Sequence, residues 1–108
     1  MRLSAVERSA IESASREALP IGARVLLFGS RVDDTRRGGD IDLLVELPEC
    51  LSADDVVQRR ARFITRLYRL LEERRIDVVM THPDARGARD ERPVVEAARQ
   101  YGVELART

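Results

Sequence analysis

The sequence predicts an α/β fold of the α+β kind: a small mixed β-sheet with flanking helices, in one domain over residues 1–108. Three observations predict it. Two apolar runs, residues 41–45 (IDLLV) and 76–80 (IDVVM), repeat one pattern of isoleucine, aspartate and three apolar residues. Between them lies a long stretch of helical periodicity, the connection that two parallel strands need. Ahead of both stands a third apolar run, residues 24–28 (RVLLF), bounded by glycines. A chain of 108 residues has room for one such domain.

The elements follow in order. Leu3, Val6, Ala10, Ile11, Ala14 and Ala18 recur at helical spacing, and Pro20 with Gly22 ends that first helix. RVLLF is the first strand. Residues 29–39 are a polar turn region rich in Arg, Asp and Gly. DIDLLVEL, residues 40–47, is the second strand, closed by Pro48. Ser52, Asp54 and Asp55 are candidates to cap the next helix and suit its dipole. That helix runs to about Arg74, with Val57, Ala61, Ile64, Leu67, Leu70 and Leu71 as its apolar stripe. RIDVVMT is the third strand and HPDARGARDER a loop. Pro93 suits a first helical turn. VVEAARQY is a last helix ending at Gly102, and residues 103–105 allow a fourth short strand.

Composition excludes several functions. Hydrophobic residues are 44% of the chain, enough for a core, and the formal net charge is zero. Neither nucleic acid nor an acidic membrane is favoured by bulk charge. Phe28, Phe63, Tyr68 and Tyr101 are too few for a base-stacking platform. All 19 basic residues are arginine. Without lysine there is no Walker phosphate loop and no Schiff base. His82 and Cys50, the single histidine and cysteine, cannot build a structural zinc site or an internal disulfide. The N-terminus carries acids and does not read as a signal peptide. No apolar run approaches the ~20 residues of a membrane span. The expected location is the cytoplasm.

The chemistry concentrates in GSRVDDTRRGGDIDLLVE, residues 29–46. Asp40 and Asp42 head an apolar strand, although desolvating one carboxylate costs several kcal/mol unless a cation compensates. Strand alternation points both to one face, their Cα atoms roughly 6.5 Å apart. Asp77 stands at the matching position of the third strand. With strand one antiparallel to strand two, and strands two and three parallel, Gly29, Ser30 and the three carboxylates converge. Three clustered acids raise each other's pKa values. Oxygen-only ligation by Mg²⁺ or Mn²⁺ removes that penalty, and such ions can flank an in-line displacement at phosphorus. Glycine lets backbone approach a ligand closely, and amides at a helix start bind phosphate.

Other residues have plainer roles. Asp77 could pair with Arg74 or Arg75, and Ser30 could serve as an N-cap. Arg36 and Arg37 are triphosphate grips or solvated loop charges in equal measure. Arg59, Arg60, Arg62, Arg66 and Arg69 read as an exposed helix face with packed stems. His82 reads as a loop residue and Cys50 as a strand-end residue.

A GS pair after one strand, a DxD on the next and a third aspartate on the one after resemble the DNA polymerase β-like nucleotidyltransferase superfamily. The small size resembles its minimal nucleotidyltransferase branch, whose MntA-type members are antitoxins paired with HEPN-domain toxins. The resemblance spans residue 24 to about 102 and implies the nucleotidyltransferase fold. It assigns Gly29 and Ser30, with Arg31 beside them, to the nucleotide phosphates. It assigns Asp40, Asp42 and Asp77 to metal and catalysis, the last also helping to activate the attacking hydroxyl. The spacer between Ser30 and Asp40 is one residue shorter than a common family pattern and carries Asp33 and Asp34. The implied reaction moves AMP from ATP, with Mg²⁺ or Mn²⁺, to a hydroxyl, releasing pyrophosphate. No residues are left for an acceptor-binding domain, so the acceptor is expected on a partner, a tyrosine of a HEPN-type toxin. Two alternatives are an antitoxin that acts by binding alone and a small-molecule nucleotidyltransferase similar to the aminoglycoside-modifying enzymes.

Overall fold

Strand alternation sorts the apolar residues of this chain onto two sides of one sheet, and three helices cover them unequally. The computed structural model describes residues 3–32, 40–71 and 75–108. The elements are α1 (Ala5–Ala18), β1 (Arg24–Phe28), a single 3-10 turn (Gly29–Arg31), β2 (Ile41–Glu46), α2 (Ala53–Leu70), β3 (Ile76–Thr81), α3 (Pro93–Tyr101) and β4 (Val103–Arg107). The sheet order is β3-β2-β1-β4. β1 runs antiparallel to β2 and β4, while β2 and β3 are parallel, with α2 as the crossover. This is the mixed sheet the sequence predicts, with the optional fourth strand present.

One face carries the main core. Val25, Leu27, Ile41, Leu43, Val45, Ile76 and Val78 pack under Ile11, Ala14, Phe63 and Leu67 of α1 and α2. The other face has a smaller cluster, Leu26 and Leu44 against Val95 and Ala98 of α3. Phe28 and Val79 are partly buried at its margin.

Local signals set the helix starts. Ser4 accepts a hydrogen bond from the Glu7 amide while Glu7 Oε1 accepts one from the Ser4 amide, a complete capping box. Ser52 caps α2 through the Asp55 amide, and Pro93 opens α3. α2 ends at Leu70; Arg74, to which the periodicity extended it, lies outside the described residues.

The stripes read from the sequence hold in part: Ala10, Ile11, Ala14 and Ala18 of α1 and Leu67 and Leu71 at the end of α2 are buried, and Leu3 and Ile64 are partly so. Val6 of α1 is 68% exposed and Val57 of α2 is 65% exposed. Ala61 and Leu70 are exposed as well. Glu7 and Phe63 take the inward positions instead, at 4% and 0%. The reason is packing volume: Phe63 fills the gap over the sheet, and the seam follows Val56, Phe63, Ile64, Leu67 and Leu71. The arginine face of α2 is also more engaged than a solvated face. Arg59 donates to the Ala18 carbonyl at the end of α1, Arg60 to the Val78 carbonyl on the outer edge of β3, and Arg66 pairs with Glu17 at 3.0 Å.

That outer edge is closed by side chains along its length. The Ile76 amide meets the Tyr68 hydroxyl, and the Met80 carbonyl accepts from Arg92. With Arg60 on Val78, each outward-facing residue of β3 has a partner, which guards the edge against pairing with another strand.

Candidate active site at the carboxylate row

Register alone places the acids. Asp42 is opposite Phe28 on one side and opposite Asp77 on the other. The Ile41 amide donates to the Arg75 carbonyl at 2.9 Å, which locks the heads of β2 and β3 together. Ile41 and Leu43 are fully buried on the main-core face, so the carboxylate between them points to the α3 face. There α3 covers Leu26 and Leu44 and leaves the Asp42–Asp77 row at the rim.

Asp42 is held above the ordinary carboxylate pKa. Burial is the first cause, followed by the charges of Asp77 and Asp40 and contact with the Asp77 side chain; Arg75 opposes them weakly. Glu46 lies on the same face of the same strand and has the opposite environment. It sits between Arg24 at 3.6 Å and Arg99 at 3.5 Å. One strand face thus carries a paired acid at one end and an acid short of positive charge at the other. A shortfall of that kind at a rim is a functional-site signature.

Gly29 adjoins Asp42 directly. Its φ is +79°, a conformation that favours glycine, and a Cβ there would collide with Asp42 Oδ2. The sequence motivates this glycine by ligand approach, and the structure adds a second reason: room for the carboxylate. The 3-10 turn that follows closes with the Val32 amide donating to the Gly29 carbonyl.

The structure therefore brings Gly29, Asp42 and Asp77 together. Asp40 precedes β2 and faces Arg75, one of the two arginines that could have paired with Asp77, at 3.9 Å. Ser30 is in the turn, and its side chain lies outside the described residues. So do Asp33, Asp34, Arg36, Arg37 and Arg74. Arg31 reaches α1: its Nη1 donates to both carboxylate oxygens of Glu7, at 3.1 and 3.2 Å. Sequence reasoning missed Glu7. The Ser4-x-x-Glu7 capping-box spacing was the available signal.

His82 lies in the loop after β3 with Nδ1 against the Pro83 carbonyl, as a loop residue. Cys50 is exposed. Asp90 holds the same loop by accepting from Thr81 and Arg92, and the Arg92 guanidinium keeps its carboxyl far below the usual range.

Among the described residues, no group of three or more His, Cys, Asp or Glu side chains is gathered into a ready metal cage. The donor set still fits a divalent cation. Asp42 and Asp77 are register-matched oxygen donors whose mutual repulsion a cation would cancel. Asp40, held toward Arg75, is the donor that must turn to join them.

A family model described as a nucleotidyltransferase domain matches residues 8–101, a span that contains this site. No curated protein matches the chain. Among the described residues, no helix is long and apolar enough to cross a membrane.

Proposed function

The chain belongs to the nucleotidyltransferase domain family, and we propose that the group it moves is AMP, taken from ATP and placed on a tyrosine hydroxyl of a HEPN-type toxin. In this reading the protein is the antitoxin of the pair. The observation that carries it is the Asp42–Asp77 row on the uncovered end of the α3 face, against the Gly29 turn. The partner class rests on the resemblance of the GS, DxD and third-aspartate pattern to minimal nucleotidyltransferases.

The residues divide the work. The turn from Gly29 binds the phosphate chain with backbone amides. Asp42 and Asp77, with Asp40 once it leaves Arg75, would hold Mg²⁺ or Mn²⁺. The bound ion supplies positive charge that lowers the cost of bringing an oxygen nucleophile to phosphorus. The acceptor oxygen attacks the α-phosphorus of ATP, the bond from that phosphorus to the β-phosphate oxygen breaks, and pyrophosphate leaves. Asp77 takes the hydroxyl proton. The partner supplies the wall that keeps water out, since proximity is worth several kcal/mol in such transfers.

Intact mass spectrometry of the partner after incubation with ATP and Mg²⁺ tests this. AMP-sized additions that need Asp42 support it. A partner that is bound and silenced with its mass unchanged leaves neutralisation by occlusion.

A further inference from the structure

Glu7 lies on α1, outside the carboxylate row, yet it is the most deeply buried acid among the described residues, at 4% exposure. It bonds in two directions. Oε1 accepts from the Ser4 amide, which caps α1. Both oxygens accept from Arg31, the last residue of the turn that starts at Gly29. Arg31 is itself only 12% exposed at its side chain. A helix end needs only one capping contact from such a residue. A buried carboxylate–guanidinium contact, with Arg31 Nη1 reaching both oxygens, does something else, because it ties the two charged groups together across the fold. Burial alone would raise the Glu7 pKa; the Ser4 amide and Arg31 overcome it and hold the carboxyl ionised.

We infer that Glu7 is a positioning residue for the nucleotide: by clamping Arg31 it holds the Gly29–Arg31 turn with its amides toward the phosphate site. The inference rests on the nucleotide reading above. It makes α1 part of the site, and it gives Arg31 an anchoring role in place of direct phosphate contact. Three geometric facts support it. The turn is one hydrogen bond long, Val32 amide to Gly29 carbonyl. Gly29 sits at φ +79°, and glycine adopts positive and negative φ about equally readily, so its own backbone does not fix the turn. The Glu7–Arg31 contact joins segments far apart in sequence, so it fixes the turn to the body of the fold.

The test uses the full chain and three variants. Glu7→Gln weakens the clamp and keeps the shape. Arg31→Lys keeps the charge and removes the guanidinium. Ser4→Ala breaks the capping box and leaves the clamp. The first readout is amide hydrogen exchange over residues 29–32 without ligand. Faster exchange by about tenfold or more is expected in Glu7→Gln and Arg31→Lys, and parental exchange in Ser4→Ala. The second is calorimetric titration of ATP with Mn²⁺, where the first two variants should bind about tenfold more weakly and Ser4→Ala as the parent does. Parental exchange in both clamp variants overturns the positioning role, as does equal loosening in Ser4→Ala. Should Glu7→Gln not fold, Arg31→Lys decides the same question. If the parent itself binds no ATP, the nucleotide reading fails and the purpose assigned to the clamp falls with it. Loosened exchange with undiminished ATP binding overturns only the inference, since the nucleotide reading then stands.

Discussion

The two faces of the sheet make opposite use of the same strands. On one face, two long helices bury the inward side chains of β1, β2 and β3, with Met80 only partly covered. On the other, α3 covers Leu26 and Leu44 and stops short of Asp42 and Asp77. The difference teaches how a small domain can hold uncompensated charge. Residues 41, 42 and 43 alternate buried, rim, buried, so the stability of β2 comes from one face while its chemistry sits on the other.

Adjacent leucines test that division most strongly. Leu43 and Leu44 are both fully buried, one on each face. Leu43→Ala should cost about 4 kcal/mol and Leu44→Ala about 2.5 kcal/mol, measured by urea denaturation. Equal costs would break the comparison. Next comes the turn at the rim. Gly29→Ala should lose about 2 kcal/mol, because a Cβ is strained at positive φ and meets Asp42. Combining it with Asp42→Ala should recover part of that loss, and calorimetry on the double variant reads the recovery.

A smaller effect has the reverse sign. In the absence of divalent cation, Asp42→Asn should stabilise the fold by about 1 kcal/mol while nucleotidyl transfer is lost, the trade expected where a site keeps unfavourable charge. Thermal unfolding and a transfer assay on the same sample check both halves; a destabilised variant would mean that Asp42 serves the fold. The smallest effect is the pH dependence of the metal-free protein. Because the folded-state pKa of Asp42 is raised, its contribution is fully present below the ordinary carboxylate pKa and is lost as pH rises through the raised value. Asp42→Asn should remove this part of the slope, and Mn²⁺ should stabilise more at higher pH, where Asp42 is ionised.

Much of the architecture was readable because it rests on local signals. The repeated Ile-Asp-apolar pattern gave the parallel pair and its register, and Ser52 and Pro93 marked helix starts. The helix stripes hold except at Val6, Val57, Ala61 and Leu70, which periodicity places inward and the structure leaves exposed. Val57 and Ala61 fit a stripe as well as Phe63 does by periodicity, and only core packing selects the phenylalanine, the largest fully buried side chain.

Which strand positions carry acids, and which face they share, follows from residue order, since alternation is a matter of backbone geometry alone. Tertiary structure decided their electrostatics. Whether an acid on that face is relieved by arginine, as Glu46 is, or left against other acids, as Asp42 is, depends on where α3 and the β3 head place Arg99 and Arg75. It decided the Arg31 clamp too. Glu7 and Arg31 are 24 residues apart in the chain, and no periodicity spans that distance; only the packing of α1 beside the turn brings them together.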